Sequence, residues 1–176
     1  MRGYKSDAWE GGHRVPFIVR WPKVIKAGTV CDQLVSQADI TATAAELAGA
    51  PLPENAGEDS FSMVPLLKGG KGSIRENAVS TSLSGLPAVR FNQWLYIPAS
   101  GSGGWGKGGD HSQPVQLYNL ADDIGETTNL AAQQPKRVVQ MQTLLEKLII
   151  QGRSTPGPVQ KNDVEVRRYL PKDEGQ

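Results

Sequence analysis

Glycine and proline interrupt this sequence at short intervals, and that punctuation restricts it to short strands and short helices. The 176 residues include 20 glycines and 12 prolines. Ordinary usage is roughly 12% for the two together, so a core with many turns is expected, though not a low-complexity chain. One stretch escapes. Between Pro135 and Gly152, residues Val138, Val139, Met141, Leu144, Leu145, Leu148 and Ile149 recur at helical spacing, with proline opening the helix and glycine closing it. Ser154 to Gln176 reads as an extended polar tail.

The remaining elements are brief. Val15-Pro16-Phe17-Ile18-Val19-Arg20-Trp21 is a continuous apolar run, read as a strand buried on both faces, with Pro16 tolerable near its start. Asp39 to Ala48 reads as a helix with Asp39 as N-cap and Ile40, Ala44, Leu47 and Ala48 along one face. Gly49 and Pro51 stop it. Met63 to Leu67 reads as one helical turn, capped by Ser62 and ended by Gly69-Gly70. Strands are expected at Ala78–Thr81, Ala88–Phe91, Trp94–Ile97 and Val115–Tyr118, with Asn92-Gln93 turning a hairpin. The fold class is therefore α+β: a small α/β portion over 1–75, then an antiparallel sheet of about four strands covered by a helix over 76–152, then a tail over 153–176.

Composition excludes several roles. Lys and Arg number 19 against 18 Asp and Glu, and no run of like charge accumulates, which argues against nucleic acid as a partner. Trp9, Trp21, Trp94 and Trp105 are scattered instead of forming a basic stacking platform. The single cysteine, Cys31, rules out an internal disulfide and a multi-cysteine zinc site. No apolar run approaches the roughly 20 residues that cross a bilayer. The first residues, Met1 to Asp7, contain no apolar h-region of a signal peptide. A soluble globular domain is expected.

Chemistry concentrates in Lys5-Ser6-Asp7-Ala8-Trp9-Glu10-Gly11-Gly12-His13-Arg14-Val15-Pro16. Two readings stay open. Lys5, Glu10, His13 and Arg14 converge at the end of a sheet, where open α/β folds place ligands. Alternatively, a Glu10–Arg14 ion pair holds a tight glycine turn and Lys5 is solvated. Gly101 to Gly108 reads G-x-x-x-x-G-K-G, one residue short of a phosphate loop and followed by no helix, so a flexible surface loop is expected there. His111 beside Asp110 has no nucleophile in sequence and reads as a loop histidine in water. Asp122-Asp123 lies in a turn after a strand and suits backbone N–H acceptance.

The Lys5 segment resembles the type I sulfatases, the arylsulfatase branch of the alkaline-phosphatase superfamily. Lys5, Trp9-Glu10-Gly11-Gly12 and Arg14-Val15-Pro16 match their Lys-x-x-x-aromatic-Glu-Gly-Gly-x-Arg-x-Pro element. The likeness continues through Trp21-Pro22, Ala27-Gly28-Thr29, Asp39 to Gly49 and Pro65-Leu66-Leu67. It returns at Gln116-Leu117-Tyr118-Asn119-Leu120-Ala121-Asp122-Asp123 and Gly125-Glu126-Thr127-Thr128-Asn129-Leu130. The resemblance implies sulfate-ester hydrolysis by a formylglycine made from a cysteine in Cys-x-Pro-Ser-Arg, with calcium holding the sulfate oxygens. It also implies that Lys5 contacts the sulfate group and that Glu10 and Arg14 support the site; His13 stands where the family often has an aliphatic residue, and is read either as a substrate contact or as a satisfied structural histidine.

Departures from the family pattern shape the expectation. Cys31 sits in Thr29-Val30-Cys31-Asp32-Gln33 without the Pro-Ser-Arg that modification requires, so it reads as an apolar filler, not a nucleophile. No calcium ligand set can be assembled, since such a site takes roughly six or more oxygens. The expectation is the C-terminal part of a sulfatase: the end of the α/β catalytic domain, then the C-terminal subdomain, inactive alone. No metal or cofactor is assigned to this chain. Non-catalytic recognition of a sulfated or carbohydrate ligand, and phosphonate or phosphate monoester hydrolysis, stand as alternatives. A sulfated small molecule or glycan is the implied partner of the intact protein, with no nucleic acid and no membrane. Homodimerisation through exposed apolar surface is expected of the chain alone. The compartment is unspecified, and export is implied only for the full-length family protein.

Overall fold

The computed structural model describes residues 1–109 and 111–168. In chain order the elements are α1 (Glu10–His13), α2 (Asp39–Ala48), α3 (Val64–Leu67), β1 (Asn77–Thr81), β2 (Pro87–Phe91), β3 (Trp94–Ile97), β4 (Gln116–Asn119) and α4 (Pro135–Gln151). The four strands form one sheet in the order β1-β2-β3-β4. The expected α+β class, the antiparallel sheet and the long C-terminal helix are all present. The described residues form two compact units: 1–15, 79–147 (without 110) and 162–168 in one, 16–78 and 148–161 in the other.

In the first unit, register assigns each sheet residue to a face. Antiparallel pairing sets Val89 opposite Tyr96, Phe91 opposite Trp94, Leu95 opposite Tyr118 and Ile97 opposite Gln116. Side chains alternate along each strand, so Ala88, Arg90, Leu95, Ile97, Gln116 and Tyr118 share one face. Val89, Trp94, Tyr96 and Leu117 share the other. Helix α4 lies over this second face: the Arg137 guanidinium sits 4.9 Å from the Trp94 ring, and burial together with the Glu146 charge pushes the Tyr96 hydroxyl up to about 12. Met141 and Leu145 are the buried members of its apolar stripe, while Val139 faces solvent. The first face is covered by the N-terminal segment, whose Ala8 and Trp9 join Leu86, Ala88, Leu95, Ile97, Ala99, Tyr118 and Leu120 in one buried cluster. Between β2 and β3, Asn92 takes φ +52°, a left-handed conformation that asparagine tolerates.

The second unit is built around a buried ion pair. Asp39 is fully buried, and its Oδ1 lies 3.0 Å from the Arg75 guanidinium and accepts the Phe61 N–H at 2.9 Å. Oδ2 accepts the Ser36 N–H at 2.7 Å. Arg75 also donates to the Asp59 carbonyl at 2.6 Å and stacks 4.8 Å from the Phe61 ring. One turn on, the Thr43 hydroxyl donates to the Asp39 carbonyl and accepts the Met63 N–H. Arg153 is buried here too, donating to the carbonyls of Glu54 and Pro158.

Three expectations are corrected in this unit. Helix α2 has the expected bounds, and Gly49 closes it at φ +64°, but Ala38 and not Asp39 occupies the N-cap. The Asp39 carboxylate is turned inward to Arg75. Turning Asp39 and Thr43 inward leaves the apolar face of Ile40, Ala44, Leu47 and Ala48 exposed. Val15 to Trp21 is not a strand: no described segment pairs with it, and Ile18 is 90% exposed. An apolar run becomes a buried strand only where a neighbouring strand accepts its backbone. Cys31 is exposed and fills no core.

Replacing Asp39 by Asn removes the charge but keeps the shape, stranding the Arg75 guanidinium. The expected loss is about 3–5 kcal/mol, as for buried pairs that lose one partner. Urea denaturation of D39N beside the wild type measures it, and a loss below about 1 kcal/mol, the scale of a surface pair, contradicts this account of the unit.

Candidate functional site

Residues 2–14 lie within the first unit, and the local sequence dictates how they lie there. Ser6 adopts φ +90°, a strained conformation for a residue with a side chain. The surrounding bonds hold it. Its hydroxyl accepts the Trp105 N–H at 3.0 Å, and its carbonyl accepts the Leu83 N–H at 2.8 Å. Asp7 is buried, with Oδ2 accepting the Tyr4 N–H and Oδ1 accepting the Gly106 N–H. Ala8 donates to the Ser102 carbonyl, and the Tyr4 hydroxyl donates to that of Trp105.

These bonds revise the reading of the Gly101–Gly109 loop. It is strapped to the N-terminal segment instead of running free over the surface. A Cβ on Gly104 would stand 2.3 Å from the Ser6 carbonyl oxygen, and one on Gly106 would stand 2.3 Å from Asp7 Oδ2. The glycines are there for close approach. Gly11 and Gly12 serve the same end, since a Cβ would meet the Gly3 oxygen at 2.3 Å and the Asp7 oxygen at 2.1 Å. Both sit inside α1, where the sequence suggested a tight turn.

Trp9 carries the segment onto the sheet. Its indole N–H donates to Gln116 Oε1 at 2.8 Å, which also accepts the Tyr118 hydroxyl at 2.8 Å. Gln116 Nε2 donates to the carbonyls of Ala99 and Gly101, so this fully buried amide is satisfied at both ends. Arg2 stacks 4.0 Å from the Trp9 ring and donates to the Tyr118 hydroxyl and the Glu126 carbonyl, both at 3.2 Å.

Glu10 follows, buried, with an imidazole and two guanidinium groups around it. His13 Nε2 lies 3.4 Å from Oε1, and Arg14 and Arg90 lie 3.3 and 3.7 Å from Oε2. Burial raises the affinity of this carboxyl for a proton, but the His13 hydrogen bond and the charges of His13, Arg90 and Arg14 outweigh it and hold the pKa below its usual value. The backbone N–H of Glu10 donates to Glu126 Oε2 at 3.1 Å. Glu126 is fully buried at φ +53°, and its other carboxyl oxygen is enclosed without a hydrogen-bond partner.

The structure thus gathers Glu10, His13 and Arg14 and leaves Lys5 exposed, with no hydrogen bond or ion pair among the described residues. His13 is half-buried, and its Nδ1 is enclosed without a partner. Sequence reasoning missed Arg90 and Glu126. Arg90 carried a usable signal, a charge on the strand face shared by Ala88 and Leu95. Glu126 carried none beyond its place in a matched motif. His111 is exposed, 3.3 Å from the Ser100 hydroxyl, and Asp110 lies outside the described residues. Asp123 accepts the N–H groups of Thr127 and Thr128, as expected of a turn carboxylate, and Asp122 accepts from the Asn119 amide. Among the described residues no group of three or more His, Cys, Asp or Glu side chains could hold a metal ion, so the calcium implied by resemblance does not fit this residue set. No helix among them is long and apolar enough to cross a membrane.

The ionised Glu10 is central to this cluster, so Glu10→Gln is expected to cost about 3 kcal/mol at pH 7. Because the folded-state pKa lies below the ordinary 4.5, the stabilisation is present above that pH and fades as pH falls through the folded value. Denaturation midpoints of E10Q and wild type should therefore converge in acid. A gap that stays constant down to about pH 3 speaks against the ion-pair account.

Comparison with known proteins gives this geometry its context. Residues 5–81 match the family model described as N-sulphoglucosamine sulphohydrolase, C-terminal. The chain is 40% identical over 152 residues to an N-acetylgalactosamine-6-O-sulfatase of Bacteroides thetaiotaomicron, a match covering 84% of this chain and 29% of that protein. It is 53% identical over 68 residues to human steryl-sulfatase, covering 39% of this chain and 12% of that one. Among solved structures, one from work on glycosaminoglycan metabolism by Bacteroides thetaiotaomicron aligns with TM-score 0.72 and 37% identity, over 84% of this chain and 31% of its own. A second, solved with a neocarrahexaose, aligns with TM-score 0.66 and 29% identity, over 83% and 31%. The chain spans about a third or less of the relatives it matches. It belongs to the sulfatase family, as a C-terminal sulfatase portion.

Proposed function

We propose that the intact protein hydrolyses sulfate esters on a glycan and that this chain contributes the Lys5–Pro16 element to its active site. The observation that carries the reading is the state of Lys5. The family match begins at this residue, and its ammonium is exposed and unpaired among the described residues while its neighbours are fixed by hydrogen bonds. Negative charge builds on the oxygens of a sulfuryl group during transfer, and a cation held on a rigid strap stabilises it without reorganisation. Ser6 and Asp7, bonded to the glycine loop, supply that strap. The 6-O-sulfated sugar named for the Bacteroides thetaiotaomicron relative supports a glycan substrate.

Residues outside this chain supply the nucleophile and the calcium ligands in this reading. Cys31 lies outside any Cys-x-Pro-Ser-Arg sequence, and no metal-holding group occurs among the described residues. The chain alone is therefore inactive. The intact protein also covers the exposed apolar residues of the second unit, Phe17, Ile18, Val30, Ile40 and Leu47. Alone, the chain associates with itself through such surface.

Sulfate release from 6-O-sulfated N-acetylgalactosamine by the intact protein tests the reading. Lys5→Ala should lower kcat/KM by about 100-fold or more, the usual cost of removing one oxyanion-stabilising group. A loss under about threefold removes Lys5 from the site. Sulfate release by the isolated chain overturns the assignment of the nucleophile elsewhere. Light scattering of the isolated chain should give a mass above 19.0 kDa that rises with concentration, and a concentration-independent monomer contradicts self-association.

A further inference from the structure

Glu126 poses a physical problem that the proposed reaction does not use. Its carboxyl is fully buried, one oxygen accepts the Glu10 N–H, and the other is enclosed without a hydrogen-bond partner, with the Arg2 N–H and guanidinium the nearby groups that favour its charge. The groups around it are mixed in charge. Helix α1 presents the Glu10 carboxylate and, bound to it, His13. The N-terminal segment brings the Arg2 guanidinium, which bonds the Glu126 carbonyl and the Tyr118 hydroxyl from β4. Arg90 from β2 reaches Glu10. In its own turn, Asp123 accepts the Glu126 N–H through its carbonyl and directs its carboxylate to Thr127 and Thr128. An ionised Glu126 would place a second negative charge beside Glu10, with one oxygen unbonded and only the Arg2 charge and N–H nearby to offset the loss of water.

We propose that Glu126 is a positioning residue: its neutral carboxylic acid seats the start of α1 on the sheet, and its ionisation loosens that seat and with it the segment carrying Lys5 and His13. Burial, with the Glu10 charge added, outweighs the Glu10 N–H bond and the Arg2 charge and N–H, and pushes the Glu126 pKa up to about 7. The folded chain therefore keeps the proton well above the ordinary 4.5 and releases it to water near neutrality. The sign follows: the seat holds in mild acid and weakens as pH rises through about 7. Glu10 does not titrate in that window, because its cationic partners hold its pKa below 4.5. The inference rests on the geometry of this chain and stands whichever reaction the intact protein performs.

Amide hydrogen exchange of the full chain, followed by NMR and corrected for the intrinsic pH dependence of exchange, tests it. Protection of the Glu10 N–H in the wild type should fall by about tenfold or more between roughly pH 5.5 and 8.5. Glu126→Gln keeps the acceptor and the shape but has no proton to lose, so its protection should stay flat. His13→Gln should keep the wild-type step, which separates Glu126 from the nearby imidazole. Wild-type protection that does not change with pH overturns the proposal. So does a step that persists in E126Q, or one that vanishes in H13Q.

Discussion

The seating of Trp9 and Glu10 against the inner face of the sheet is the interaction on which the first unit depends. The strands present Gln116, Tyr118 and Arg90 on that face, polar groups that an apolar cover would strand. Trp9 and Glu10 meet them: the indole N–H goes to Gln116 and the carboxylate to Arg90. Each side satisfies what the other buries. Without the segment the sheet would expose buried polar groups, and without the sheet the Trp9 indole and the Glu10 carboxylate would lose Gln116 and Arg90.

The same economy explains the glycines. At Gly11, Gly12, Gly104 and Gly106 the argument is distance, since each faces a backbone or carboxylate oxygen too close for a methyl group. A strap that runs this tightly along a loop fixes its own side chains. That rigidity gives the exposed Lys5 a chemical use, because a cation on a fixed backbone needs little rearrangement to meet a developing anion. The second unit reaches rigidity differently, through the Asp39–Arg75 pair and the N–H groups that Asp39 collects.

Much of the fold was legible because local rules decide it. The β2-β3 hairpin follows from two apolar runs separated by Asn92-Gln93, and α4 from its stripe between Pro135 and Gly152. Helix α2 was legible in extent but not in orientation. Its apolar side is exposed and its buried side is Asp39 and Thr43, because Arg75 and the N–H groups of Phe61 and Met63 require partners. The run at Val15 to Trp21 failed for a related reason: strand formation depends on a neighbour, and no property of the run itself supplies one. In the site, Lys5, Glu10, His13 and Arg14 were visible as a motif. Arg90 and Glu126 were hidden by their distance along the chain.

The sequence by itself determined the β2-β3 hairpin, the extents of α2 and α4, and that a cation, a carboxylate and a histidine share one N-terminal stretch. Spacing and chain stiffness act between near neighbours, so a linear reading reaches them. Only the tertiary structure decided which of those charges are neutralised and which remains exposed. It set His13, Arg14 and Arg90 around Glu10, left Lys5 to solvent and enclosed Glu126 beside another carboxylate. Burial and charge pairing are properties of residues brought together across more than a hundred positions, and that is where the character of this site lies.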